Sequence, residues 1–211
     1  MKAGLNRGYN AARACGGEIR GVALSPRCII GGRMPETRSA SSVNVLETER
    51  LNLRRLNAGD AAFILELLND ESFLRNIGDR GVRTIDAAVQ YILQGPVDSY
   101  ARYGFGFWLV ELKESGTPAG ICGLVKRERL PDVDIGYAFL PQFRSRGYAC
   151  ESAAAVLSYA RGTLGLGRVL AIVNPDNAGS IRVLEKIGLK FDRLVRLSDD
   201  APEIMLFASD A

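Results

Sequence analysis

From residue 50 onward the apolar positions follow two rhythms, a period of two and a period of 3.6, and the mixture predicts helices packed on a sheet. Arg50 to Leu56 alternates as a strand. Asn57 and Asp60 offer caps for a helix to about Asn69, and Thr84 with Asp86 opens another that ends or bends near Gly95-Pro96. Phe105 to Leu112, a Lys-Glu-Ser-Gly-Thr turn and Ala119 to Arg127 read as a hairpin. Pro131-Asp132 then breaks the chain before a strand from Val133 to Leu140. Tyr148 to Leu164 sets Ala149, Ala153, Val156, Leu157, Ala160 and Leu164 on one helical face, closed by Gly165, and Val169 to Val173 is a short buried strand. A helix from Asn177 to Ile187 turns Ile181, Leu184 and Ile187 inward and stops at Gly188. Two last strands cover about Lys190 to Leu197 and Glu203 to Ala208. The fold class is α/β in its α+β form, a mixed sheet whose middle strands are antiparallel.

Composition narrows the chemistry. The chain has 211 residues, 47% hydrophobic and 24% charged, values of one globular domain with a core that needs no staples. Its apolar runs fall far short of the ~18 residues of a membrane helix. No histidine is present, which excludes Ser/His/Asp triads, Cys/His dyads and His-ligated metal sites. Cys15, Cys28, Cys122 and Cys150 form no C-x-x-C pair, so we expect reduced thiols, a cytoplasmic protein and no metal.

Residues 1–42 hold seven Lys/Arg against two acids, whereas the remainder holds 20 against 22. The net charge of +3 therefore belongs to a leader and not to a nucleic-acid-binding face. That leader, rich in Gly, Arg, Ala and Ser, is expected to be disordered, with the domain spanning 43–211. Met34 sits just before the patterned region and is the expected true start of translation.

One turn carries candidate chemistry. Phe139-Leu-Pro-Gln-Phe-Arg-Ser-Arg-Gly-Tyr-Ala leaves a strand and enters a helix at Tyr148, which directs backbone N–H groups outward from a positive helix terminus. Gly147 and Ala149 are small enough for an anion to approach the backbone, and Arg144 and Arg146 add charge. A plain strand-helix loop with solvated arginines is spelled the same way. The turn is too short for a Walker loop and lacks its Lys-Ser/Thr, and its glycines do not follow the opening strand of a βαβ unit.

Three segments change the picture. Asp134-Ile-Gly-Tyr, Arg144-Ser-Arg-Gly-Tyr-Ala-Cys-Glu and Asn174-Pro-Asp-Asn-Ala-Gly-Ser-Ile-Arg-Val-Leu-Glu-Lys-Ile-Gly-Leu together resemble the GNAT superfamily of acetyl-CoA-dependent N-acetyltransferases. The spelling N-x-x-S-x-x-V-L-E-K-x-G looks like the branch that includes the ribosomal-protein N-terminal (Rim-type) acetyltransferases. The match spans about residues 46–208. It implies a mostly antiparallel sheet whose fourth and fifth strands splay, with acetyl-CoA in the gap and its pyrophosphate on the turn at Gly147. By similarity, the backbone of Tyr137, Ala138 and Phe139 holds the pantetheine. The amides of Arg144, Ser145, Arg146, Gly147, Tyr148 and Ala149 take the phosphates, and Asn177 bonds the pantetheine arm.

Acetyl transfer needs a neutral amine, a donor for the tetrahedral oxyanion and a proton for the leaving thiolate. A backbone N–H near Tyr137 is the candidate oxyanion donor. The family tyrosine that protonates the thiolate is replaced here by Leu184. Ser180 matches the serine of the N-x-x-S branch, and either relays that proton or caps its helix. Asp134 is the first candidate for general base, placed by alternation on one face with Gly136 and Ala138; its plain reading is a solvated strand-start aspartate. Asp199 and Asp200 are alternatives if the last turn closes on the cleft, while Glu151 and Glu185 read as structural. The expected acceptor is a protein or peptide N-terminal amine, with a small-molecule amine or a non-catalytic acyl-CoA sensor as the other readings. Glu66, Asp70, Glu71 and Asp79 form a mildly acidic stretch that would suit a basic peptide or polyamine, or be a solvated helix face. We expect a monomer or homodimer.

Overall fold

The computed structural model describes residues 44–210. The leader 1–42 and the start at Met34 lie outside the described residues. The chain opens with two short strands, β1 (Asn44–Glu47) and β2 (Leu51–Arg55), of which β1 is unforeseen in the sequence pattern. The side chain of Asn57 accepts from Gly59 N–H at 2.8 Å, and the Asp60 carboxylate accepts from Asn57 N–H at 2.9 Å, a capping box on the short 3-10 turn Ala58–Asp60 that leads into α1 (Ala61–Leu68). Asp70 caps a further short helix, α2 (Glu71–Asn76), through Ser72 and Phe73 N–H. Thr84 caps α3 (Ile85–Ile92) as its sequence position suggests. At Gly95-Pro96 the chain does not stop but passes through one wide π turn into α4 (Asp98–Tyr103).

The strands that follow match the pattern closely: β3 (Phe107–Leu112), β4 (Pro118–Val125) and β5 (Asp134–Phe139). After them come α5 (Tyr148–Gly162), β6 (Leu170–Val173), α6 (Ala178–Lys186), β7 (Lys190–Val195) and β8 (Ile204–Ala208). The sheet order is β1-β2-β3-β4-β5-β6-β8-β7, with every neighbouring pair antiparallel except β5 and β6. Gly123 is needed in β4, because a Cβ there would lie 2.1 Å from the carbonyl oxygen of Gly106.

Alternation sends each strand's apolar side chains to two cores. On one face α1 and α3 bury Ile64, Leu67, Ala88 and Ile92 against Leu109 and Ile121. On the other, α5 lays Ala153, Val156, Leu157 and Ala160 over Leu53, Trp108 and Val110, with Trp108 edge-on to Tyr159 at 5.6 Å. Among the described residues no helix is long and apolar enough to cross a membrane.

Candidate active site

The parallel pair β5–β6 is joined at a single register position, Asp134 opposite Leu170, and the strands then diverge. Which backbone groups face the gap follows from the ladder. Leu140 N–H reaches Ala119 O on the β4 side at 3.1 Å, and Val133 O accepts from Leu170 N–H on the β6 side at 2.9 Å. Alternation therefore turns the N–H and C=O of Ile135, Tyr137 and Phe139 into the gap, where β6 no longer pairs with them. These are the splayed strands of the sequence reading, the fourth and fifth counted from Arg50. A cleft of about 950 Å³ follows the gap, lined on one side by Tyr137, Ala138, Phe139, Ser145, Gly147 and Ala149, and on the other by Asn177 and Ser180.

The turn into α5 is built to present amides. Ser145 (φ 58°) and Gly147 (φ 84°) are both left-handed, so the backbone N–H directions vary from residue to residue just before the 15-residue helix begins. Arg50, which stands outside the three sequence motifs, lies beneath this turn. Its guanidinium donates to Arg146 O at 3.2 Å and sits 4.7 Å from the centre of the Tyr148 ring, and a Cβ on Gly147 would lie 3.2 Å from its Nη2. Glu151 holds Arg50 in place, accepting from its Nε at 2.7 Å and its backbone N–H at 3.0 Å, and from Thr48 Oγ1 at 2.6 Å. Burial pushes the Glu151 carboxyl up, but these bonds outweigh it and leave it below the ordinary value. The structural reading of Glu151 thus acquires its partners; nothing in the local spacing announces Arg50.

Arg144 and Arg146 differ. Arg146 is exposed and its side chain makes no bond among the described residues. The Arg144 guanidinium instead donates through Nε to Phe139 O at 2.8 Å and through Nη2 to the Asp70 carboxylate. Its charge is spent as a brace between the end of β5 and the start of α2, where the sequence had suggested phosphate charge. Burial raises the Asp70 carboxyl, and the Arg144, Ser72 and Phe73 bonds bring it below its ordinary value.

Across the gap, Asn177 caps α6 by accepting from Ser180 N–H at 3.1 Å, so the cap belongs to Asn177 and not to Ser180. Ser180 lines the cleft, with its side chain beside the Tyr137 phenol. The Tyr137 phenol donates to Ser180 O at 3.1 Å and stays protonated, its pKa raised by burial. Leu184 is buried at 2% exposure, in keeping with an apolar residue where the family carries a tyrosine. Cys122 and Cys150 are free thiols; burial pushes Cys122 up to about 12, and Cys150 lines the cleft.

The cleft is also lined by Arg75, Arg80, Tyr91, Arg127 and Asp134, the last at the end of β5 opposite the turn into α5, and by Leu197, Ala201 and Pro202 from the β7–β8 turn. Asp134 is not solvated: it is 1% exposed and accepts from Arg127 Nε at 3.0 and 3.1 Å. Burial raises its carboxyl and Arg127 opposes that rise. The acidic stretch suggested by sequence is absent from this wall. Asp70 serves Arg144, Asp79 pairs with Arg83, and Glu66 and Glu71 face solvent. Asp199 also points outward, 97% exposed beside Arg129. Among the described residues no cluster of side chains could hold a metal ion.

Comparison with known proteins fits this geometry. Residues 50–190 match the acetyltransferase (GNAT) domain family. The N-acetyltransferase YoaA of Bacillus subtilis is 30% identical over 155 residues, which is 72% of this chain and 86% of YoaA. An acetyltransferase of known structure from Agrobacterium tumefaciens is similar with a TM-score of 0.67 at 25% identity, over 85% of this chain and 100% of that one. The ribosomal-protein-S5-alanine acetyltransferase of Vibrio fischeri has the same fold, with a TM-score of 0.66 at 17% identity over 78% of this chain and 95% of its own. With its divergent β5 and β6, amide-lined turn and capped α6, the chain belongs to the GNAT family and is an acetyl-CoA-dependent N-acetyltransferase.

Proposed function

We propose that the acceptor is the α-amine of a peptide or protein N-terminus, which attacks the acetyl thioester directly. The observation that carries this reading is the charge of the acceptor end. Arg75, Arg80 and Arg127 line the cleft, and the one carboxylate among its described lining residues, Asp134, is already paired. A polyamine or lysine side chain, with a pKa near 10.4, arrives as a cation and needs a strong base; a peptide α-amine, near 7.7–8.0, loses its proton to water close to neutrality. Nearby guanidinium groups favour the neutral amine further.

In this reading the amides from Arg144 to Ala149 hold the pyrophosphate of acetyl-CoA, with Arg146 adding charge. The gap-facing backbone of Tyr137 and Phe139, beside Ala138, runs along the pantetheine, and Asn177 offers Nδ2 to it while Oδ1 caps the helix. A backbone N–H near Tyr137 stabilises the oxyanion. The Ser180 hydroxyl relays a proton to the departing thiolate, in the role that Leu184 cannot fill, and is reprotonated by the proton that the attacking amine sheds through Asp134 or water. Asp134 is the candidate base, and its pairing with Arg127 suits it to an amine that needs little help. Calorimetric titration with acetyl-CoA, followed by thiol release with pooled N-terminal peptides, polyamines and aminoglycosides, tests this. Release with peptides is the expected result. Release confined to polyamines overturns the acceptor, and binding without release favours a non-catalytic acyl-CoA sensor.

A further inference from the structure

We infer that the acceptor carries an anionic group close to its amine, a carboxylate or phosphate, which Arg75, Arg80 and Arg127 bind; this rests on the α-amine reading above. Three observations converge. Arg127 uses only Nε on Asp134, so both of its Nη groups remain without a partner among the described residues at the cleft wall. Arg75, near the end of α2, and Arg80, in the loop after it, make no ion pair among the described residues, although Asp79 is adjacent and is taken by Arg83. The Tyr91 phenol between α3 and the cleft is close enough to both Arg80 and Arg127 for their charges to act on it, which puts these two guanidiniums in one neighbourhood.

Arg80 and Arg127 beside one phenol, with Arg75 lining the same cleft, give it an excess of positive charge that an anionic ligand would offset. Asp134 cannot be that anion for all three, since it is 1% exposed and bonded to Nε of Arg127. Planar forks of this kind match carboxylate or phosphate oxygens in pairs. On a peptide the natural source is an acidic side chain at the second or third residue; on a small amine it is the molecule's own carboxylate or phosphate.

The test compares thiol release from acetyl-CoA for peptides of sequence Ser-Asp-Glu, Ser-Asn-Gln and Ser-Lys-Lys in otherwise identical chains, with free aspartate and phosphoethanolamine as the small-molecule arm. The acidic peptide should exceed its neutral isostere by roughly tenfold in kcat/KM, the yield of two or three partly exposed ion pairs, and the basic peptide should be poorest. Arg75→Gln with Arg80→Gln should bring that ratio towards one while acetyl-CoA affinity holds. The N-acetylated forms of the same peptides are titrated into CoA-saturated protein, which reads the anion site without chemistry. If no peptide is acetylated but the blocked acidic peptide still binds tighter than the neutral one, and loses that advantage in the double variant, the anion site stands and the α-amine reading falls. Turnover of the small anions alone, with the same dependence on the arginines, assigns the anion to a small molecule. Equal rates for acidic and basic peptides, or a preference that survives the double variant, overturn the inference.

Discussion

Replacing Arg144 with Gln separates a brace from a phosphate ligand. The guanidinium donates to Phe139 O at 2.8 Å and to the Asp70 carboxylate. Hydrogen bonds to charged groups contribute about 1.5–3 kcal/mol each when buried. The Arg144 side chain is 36% exposed, so solvent screening brings the pair to about 2 kcal/mol in total. For a domain of this size that corresponds to a fall in Tm of roughly 4–8 °C. Asp70 adds a pH signature. Its carboxyl is held below its ordinary value of 3.8, so its stabilising contribution is present above that value and lost as pH falls through the lowered folded value. Without Arg144 that contribution shrinks, and the Tm gap between wild type and variant should close in acid. The assay is thermal unfolding of both proteins from pH 7 to pH 3, beside acetyl-CoA titration at pH 7. A variant that melts like wild type yet binds acetyl-CoA more than tenfold weaker would refute the brace and return the charge to the phosphates. A coupling of at least ~0.5 kcal/mol in the cycle with Asp70→Asn would support it.

Gly147→Glu puts a side chain on a residue with φ 84° and a negative charge at the phosphate turn, and should weaken acetyl-CoA at least a hundredfold by calorimetry while the far-ultraviolet spectrum holds. Ser180→Ala should lower kcat by roughly a hundredfold, the scale of one general acid, with acetyl-CoA affinity nearly unchanged; a kcat within twofold of wild type would remove Ser180 from the chemistry. Glu151→Gln should cost stability at neutral pH, and because the folded carboxyl lies below 4.5 the deficit should vanish as pH falls through that lowered value. A deficit that persists at pH 2 in melting experiments would show that packing, not charge, ties Glu151 to Arg50.

The strand-turn-helix unit at Gly147 was readable because it is local: strand, turn and helix occur within Asp134–Gly162, and the period of α5 and the glycine at 147 are written in consecutive residues. Short elements were hidden. β1 has four residues, and α2 has six with Phe73 alone buried, too few for a period to register. The bend at Gly95-Pro96 was visible, but not its outcome: a wide turn accommodates the missing proline N–H, and the buried Tyr100 anchors the resumed helix through Leu56 N–H and Phe107 O. The acceptor end could not be read, because α2, α3, the β4–β5 loop and the β7–β8 turn meet only after folding. Counting charges between 66 and 79 suggested an acidic wall; pairing of Asp70 with Arg144 and Asp79 with Arg83 removes those charges from it and leaves arginines.

The single contact between β5 and β6 also makes this sheet unfinished. Strands β1–β5 form one half and β8, β7 and β6 the other, and along the line between them the β sheet is joined at Asp134 and Leu170 alone. A pantetheine arm lying on Tyr137 and Phe139 would act as a surrogate strand, pairing its own amides with the Tyr137 N–H and C=O and the Phe139 N–H, Phe139 O being already held by Arg144. Donor occupancy would then do more than place a thioester: it would close the seam between two halves of the molecule, slow amide exchange along β5 and β6 together, and make the acetyl donor a structural member of the sheet for as long as it stays bound.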